Sequence, residues 1–143
     1  MELNTAGIEL IKSFESCKLT CYPDAIGLPT IGWGHRTDLA IGATIDQTTA
    51  NKLLIDDLRA FSEKVANLLE VDLNDNQFSA LVSFAYNCGV HNLASSTLLK
   101  LVNSSDFEQA ANEFHKWDRA AGNELAGLLR RRLAEKALFL TPT

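Results

Sequence analysis

The sequence lacks any apolar run approaching the roughly 18 residues that a membrane span needs, and it lacks a basic surplus. Thirteen Lys and Arg stand against eighteen Asp and Glu, a formal net charge of −5. A general binder of nucleic acid or of an anionic membrane surface would carry the opposite balance, although a local basic patch is compatible with this one. Cysteine is scarce: Cys17, Cys21 and Cys88 are an odd count without framework spacing, which suits a reducing compartment. Cys17 and Cys21 sit where a helix gives way to a strand, so a bridge is conceivable, but small buried or half-buried thiols are the simpler reading. His91 and His115 have no metal-ligand spacing with Cys88 or with an acid pair, and no metal is expected. The start Met1-Glu2-Leu3-Asn4 has neither the basic segment nor the apolar stretch of a signal peptide. The expected site of synthesis is therefore a cytoplasm, and a substrate outside it would require an assisted exit.

What is present is an ordinary soluble composition, 46% hydrophobic and 22% charged over 143 residues, enough for one domain with a real core. A first helix is expected from Asn4 or Thr5 to Ser16, with Ile8, Ile11 and Phe14 as its inward stripe. Residues 18–35 read as short strands and turns, with Tyr22-Pro23-Asp24 and Gly27-Leu28-Pro29 as turn signals. Thr30-Ile31-Gly32-Trp33-Gly34 reads as a strand with one face cleared by glycine. A long helix follows from an Asp46 cap to about Leu69, its apolar face set by Ala50, Leu53, Leu54, Leu58, Phe61, Val65 and Leu68. Asn74 with Gln77 forms a capping-box variant flanked by Leu73 and Phe78, and Gly89 stops that helix. Further helices are expected near Ser96–Val102, after a Ser105/Glu108 capping pattern, and over about Glu124–Leu140 with Leu125, Leu128, Leu129, Leu133 and Ala137 inward. The fold class is α+β, mostly helical. The expectation is a single domain, 1–143: a small β-containing lobe over about 1–46, a connecting helix over about 46–70 and a helical lobe over about 71–143. A cleft between such lobes is a natural ligand site.

The chemistry concentrates near the front. Glu15 lies at the end of a helix beside an apolar face, Asp24 in a polar turn and Thr30 at a strand start. Glycoside hydrolysis uses two carboxyl groups flanking the scissile bond, one protonating the leaving oxygen and the other activating water or attacking carbon. Glu15 suits the acid, Asp24 the ionised partner, and the Thr30 hydroxyl can help hold a water. Such triples are common on protein surfaces, so spacing alone argues only weakly.

The stretch Phe14-Glu15, Leu19, Tyr22, Asp24, Gly27 and Thr30-Ile31-Gly32-Trp33-Gly34-His35 closely resembles the phage-type lysozymes, the endolysin family that includes T-even phage lysozyme. Further matches run through Gln77–Gly89, Gly127-Leu128, Arg131-Arg132 and Glu135. The resemblance implies a lysozyme-like two-lobe fold. It implies a muramidase that hydrolyses the β-1,4 bond between N-acetylmuramic acid and N-acetylglucosamine in peptidoglycan, with inversion and without a cofactor. Glu15 would be the general acid, with Asp24 and Thr30 placing the attacking water. It further implies a supporting His35–Asp57 pair, saccharide contacts from Tyr86, Asn87 and Thr97, and peptidoglycan as the partner. A monomer is expected that acts on the wall after passing a holin-type pore, without stable membrane association. For Arg130, Arg131 and Arg132 two readings stay open: a solvated cationic face near a helix end, or Arg131 or Arg132 backing Glu15. Tyr86 could equally be core, and for Trp33 and Trp117 core packing is a simpler reading than a sugar platform. Two departures stand out. The stretch between His35 and Asp46 is short, which predicts a compact front lobe, and the acidic balance is unusual for an enzyme approaching anionic wall. The alternatives are a lytic transglycosylase and an inactive wall-binding module on the same scaffold.

Overall fold

The computed structural model describes residues 1–120 and 123–143, without side-chain detail at 120, 123 and 124. In chain order the described elements are α1 (Thr5–Phe14), β1 (Lys18–Pro23), β2 (Pro29–Gly32), β3 (His35–Arg36), α2 (Gln47–Leu68), α3 (Asp75–Cys88), α4 (Val90–Ala94), α5 (Thr97–Asn103), α6 (Phe107–Ala111), a 3-10 turn (Phe114–Lys116), β4 (Arg119–Ala120), β5 (Asn123–Glu124) and α7 (Ala126–Leu140). The class is α+β and mostly helical, as expected. No helix among the described residues is long and apolar enough to cross a membrane. The chain forms two compact units, one of Lys12–Ala60 and one of Met1–Ile11 with Phe61–Thr143.

The smaller unit is an antiparallel three-stranded sheet in the order β1-β2-β3, with the first part of α2. Asp46 caps α2: its carboxylate accepts the Thr49 amide at 2.7 Å and its carbonyl the Ala50 amide at 3.0 Å. Ile31, Ala50, Leu54 and Leu58 are buried here. The strand read through Gly34 ends at Gly32. Gly32 (φ 66°) and Gly34 (φ 92°) take left-handed backbone, and with Trp33 they form a tight loop that pairs Ile31 with His35 and Thr30 with Arg36.

In the helical unit, α1 is capped by Asn4, whose Oδ1 accepts the Gly7 amide at 3.0 Å. Gly7 and Ile11 are its buried face. The helix ends at Phe14, two residues short of the expected Ser16. Phe14 sits on that last turn, before the chain bends into β1, and is 36% exposed rather than inward. The Asn74/Gln77 capping box is present on α3, with Leu73 and Phe78 buried on either side of the cap. Asn76 joins both chain ends to α3: its Oδ1 accepts from the Asn4 side-chain Nδ2 at 2.8 Å and its Nδ2 donates to the Thr141 carbonyl at 3.0 Å. The core continues through edge-on ring contacts of Phe84 with Phe114 and Trp117, and through Phe139 against Phe107 and Phe114. Of these rings Phe84, Phe114 and Phe139 are buried, each contributing about 1.5–3 kcal/mol by transfer from water.

Gly89 ends α3 as expected, and the chain re-enters a short helix, α4, at once. Other expectations need correction. The cap of α6 is Asp106, whose side chain accepts the Gln109 amide; Ser105 instead takes a left-handed φ of 58° as α5 closes. The last helix begins at Ala126, because Glu124 pairs in β5 with Arg119. Its face is also not the one expected. Leu125, Leu133 and Ala137 are exposed, while Arg131, Arg132, Glu135 and Phe139 are buried. These four recur at helical spacing too, and the three charged ones satisfy each other.

Candidate active site

Strands β1 and β2 are joined by a loop whose conformation is written by Asp24. Its amide donates to the Leu28 carbonyl at 2.9 Å and its carbonyl accepts the Gly27 amide at 3.0 Å. Its Oδ1 accepts the amides of Ile26 at 3.0 Å and Leu28 at 2.8 Å, the local side-chain turn that Asp favours. Oδ2 is held by Arg36 of β3 in a close ion pair. Partial burial by itself raises the Asp24 carboxyl. The hydrogen bond from Arg36, the Leu28 and Ile26 amides and the Arg36 charge outweigh it, and the group lies below its ordinary value of 3.8. These contacts favour the ionised form of Asp24.

Thr30 is 4% exposed. Its hydroxyl donates to the Leu28 carbonyl at 3.0 Å and accepts from Arg36 Nη1 at 3.2 Å. Asp24 and Thr30 are thus brought together, with one guanidinium nitrogen touching both. Glu15 is the first residue beyond α1, partly buried, in the same compact unit. Arg36 was not anticipated from the sequence. The signal was the three-residue Gly32-Trp33-Gly34 loop, which sets Arg36 directly across from Thr30 on one face of the sheet.

The hairpin is braced from α2. His35 Nδ1 and Asp57 Oδ2 are 2.7 Å apart, joining the residues that the resemblance paired. The Trp33 indole donates to Asn51 Oδ1 at 2.9 Å, which also takes the Gln47 amide at 2.9 Å. The Lys12 ammonium stands 5.6 Å from the Trp33 ring centre. Cys17, Cys21 and Cys88 are free thiols.

The remaining predicted residues belong to the helical unit. The solvated-face reading of the arginine run does not hold for Arg131 and Arg132, which are 3% and 0% exposed. Both clasp Glu135: Arg132 Nη2 donates to its Oε2 at 3.1 Å and Arg131 Nε to the same oxygen at 3.3 Å, with the Ser83 hydroxyl at 2.5 Å. Burial pushes the Glu135 carboxyl up, against the pull of both guanidiniums and of the Ser83 hydroxyl. Arg132 Nη1 donates to Cys88 Sγ at 2.5 Å and its guanidinium lies over the Phe84 ring. Tyr86 is partly buried and packs edge-on against Phe61, with ring centres 5.2 Å apart. Asn87 is exposed and lines an open pocket of about 300 Å³ with Cys88, Trp117 and Arg132. Thr97 is exposed on the first turn of α5. Among the described residues no cluster of three His, Cys, Asp or Glu side chains is arranged to hold a metal ion.

The family model for phage lysozyme matches residues 12–135, a span that contains Glu15, Asp24, Thr30 and the buried Glu135. The chain is 46% identical over 147 residues to the endolysin of Bacillus phage B103, covering 99% of this chain but 55% of that protein, a little over half its length. It is 37% identical over 146 residues to the endolysin of Salmonella phage P22, covering 99% of each. Among solved structures, the muramidase domain of SpmX from Asticaccaulis excentricus superposes with a TM-score of 0.91 at 39% identity, over 99% of both chains. Matches of this extent, across both compact units and through the Glu15–His35 stretch, place the chain: it belongs to the phage lysozyme family.

Proposed function

We propose that this chain is a lysozyme-type glycoside hydrolase that cuts the β-1,4 bond between N-acetylmuramic acid and N-acetylglucosamine in peptidoglycan. Glu15 is the general acid that protonates the leaving oxygen. Asp24 and Thr30 hold the water that attacks the opposite face of the sugar, and the product anomer is inverted. The observation that carries this reading is the joining of an ionised Asp24 to the Thr30 hydroxyl on one hairpin. A carboxylate and a hydroxyl side by side are two acceptors for one water, and water held in this way is a nucleophile with its lone pairs free.

Supporting roles follow from the same reading. His35 and Asp57 fix the hairpin to α2. Tyr86, Asn87 and Thr97 supply saccharide contacts from an aromatic ring, an amide and a hydroxyl. The protein acts as a monomer on the wall, after leaving the host cytoplasm through a holin-type pore, and lyses the cell.

The test is clearing of chloroform-treated Gram-negative cells by the wild type and by Glu15→Gln. Loss of a general acid costs roughly 10²–10⁴-fold in rate. Equal clearing by both proteins contradicts the acid assignment, and no clearing by either supports an inactive wall-binding module. Mass spectrometry of the fragments separates hydrolysis, which adds one water per cut, from the anhydro product of a transglycosylase, and NMR of the fresh reducing end reads inversion.

A further inference from the structure

We propose that Arg36 is a positioning residue for the hydrolytic water: its guanidinium bridges the Asp24 carboxylate and the Thr30 hydroxyl and sets both acceptors at one point. The inference rests on the proposed hydrolase reading and adds a residue to it.

The geometry can be followed through the hydrogen-bonding capacity of each group. A carboxylate offers about four acceptor sites. On Asp24, Oδ1 is filled by the Ile26 and Leu28 amides, and Oδ2 receives Arg36 Nη1, which leaves one site on Oδ2. The Thr30 hydroxyl gives its hydrogen to the Leu28 carbonyl and accepts Arg36 Nη1 at 3.2 Å, which leaves one lone pair on Oγ1. Each acceptor thus retains one site, and the two sites flank the same guanidinium nitrogen. A water that donates one hydrogen to each presents its own lone pairs to the sugar. On reaction its oxygen bonds to the anomeric carbon while the bond from that carbon to the leaving oxygen breaks. One water proton passes to Asp24 and the Glu15 proton to the leaving oxygen, so charge and atoms balance.

Arg36 is suited to this work and poorly suited to a structural one. Its side chain is 56% exposed, and an exposed ion pair contributes little to stability. It is set across from Thr30 by the strand register, so its placement depends on the sheet itself. From its own loop Asp24 receives two amides, and the Arg36 nitrogen that reaches it also reaches the Thr30 hydroxyl of β2. Among the described residues, Arg36 on β3 is the charged group that acts on it. That charge also favours the ionised carboxylate on which the water depends.

The experiment uses the full chain and dye-labelled peptidoglycan, with kcat, KM and pH–rate profiles for wild type, Arg36→Met and Arg36→Lys, and with Glu15→Gln as reference. Arg36→Met is expected to lose roughly 10–100-fold in kcat, the scale of a misplaced reacting group, with KM little changed and Tm within a few degrees of wild type. The acid limb of its profile moves to higher pH, because Asp24 without the guanidinium protonates sooner. Arg36→Lys regains part of the rate and brings the acid limb back towards wild type. An unchanged rate and acid limb in Arg36→Met, alongside an inactive Glu15→Gln, overturns the assignment of Arg36 and leaves the hydrolase reading standing. A rate loss with an unmoved acid limb, or one matched by a collapse in Tm, also overturns it, since either marks a merely structural arginine. A fully active Glu15→Gln instead removes the parent reading, and this inference with it.

Discussion

Arg132 Nε lies 2.7 Å from Glu135 Oε1, one turn away on α7, with both side chains wholly removed from solvent. The approach is off the line of the N–H bond, so at these two atoms the attraction is ionic rather than a well-aligned hydrogen bond. Around them Arg131, Ser83 and Cys88 complete a buried polar cluster. Removing Glu135 leaves the Arg132 guanidinium buried without the carboxylate that faces it. Glu135→Ala is expected to cost about 3–5 kcal/mol, read by urea denaturation; a loss under 1 kcal/mol, on the order of a surface pair, would mean the cluster opens to water.

Gly7 faces Ser79 so closely that a methyl group there would meet Ser79 Cβ at 2.6 Å. Helix propensity alone favours Ala over Gly by about 1 kcal/mol, but overpacking costs about 1–3 kcal/mol. Ser79 cannot readily withdraw, because its hydroxyl accepts the Asn4 amide and donates to the Asn4 side chain, both at 3.0 Å. Gly7→Ala is therefore expected to lower Tm, and adding Ser79→Gly to recover part of the loss. A higher Tm for the single variant would show that α1 moves aside.

Three aspartates make stability fall in acid. Asp46 is lowered by its hydrogen bonds from Thr49, and Asp75 chiefly by the Glu2 amide. Asp24 is raised by burial but lowered further by Arg36 and its loop amides. With folded values below the unfolded 3.8, each contribution is complete above that pH and is lost as pH falls through the folded value. Thermal melts between about pH 5 and pH 2.5 should show a declining Tm. Asp46→Asn, which keeps a good helix cap, should make the decline shallower; an unaltered slope would exclude Asp46 as a contributor.

Burial pushes the Cys88 thiol up, with the Glu135 charge adding to it and both arginines opposing. The thiolate is the reactive form. At pH 7.5 in the native protein, iodoacetamide is expected to modify Cys88 at least about tenfold more slowly than in the urea-unfolded chain, as followed by peptide mass spectrometry. Equal rates would show that the pairing with Arg132 generates a thiolate.

How much of this was legible follows from the range of the forces involved. The Asn74 cap, the Asp46 cap and the buried stripe of α2 depend on neighbours a few residues away, and local spacing revealed them. The face of α7 did not follow from the same rules. Arg131 and Arg132 are buried because Ser83, 48 residues from Arg131, and Cys88, 44 residues from Arg132, stand opposite them, and no local rule predicts charged residues inward over leucines. Glu15, Asp24 and Thr30 were legible as a motif. Arg36 was hidden by the reading of Gly32-Trp33-Gly34 as strand: only once those residues are a loop does the count across the hairpin bring Arg36 to Thr30.

Asn76 meets Asn4 with one end of its amide and Thr141 with the other. Residues near opposite extremes of the polypeptide therefore emerge from one corner of α3. A short peptide could close the gap between them, so the molecule is a candidate for circular permutation, with new ends opened in an exposed turn such as that around Ala40 and Ile41. By the same geometry, two passenger domains fused to its two ends would leave as neighbours.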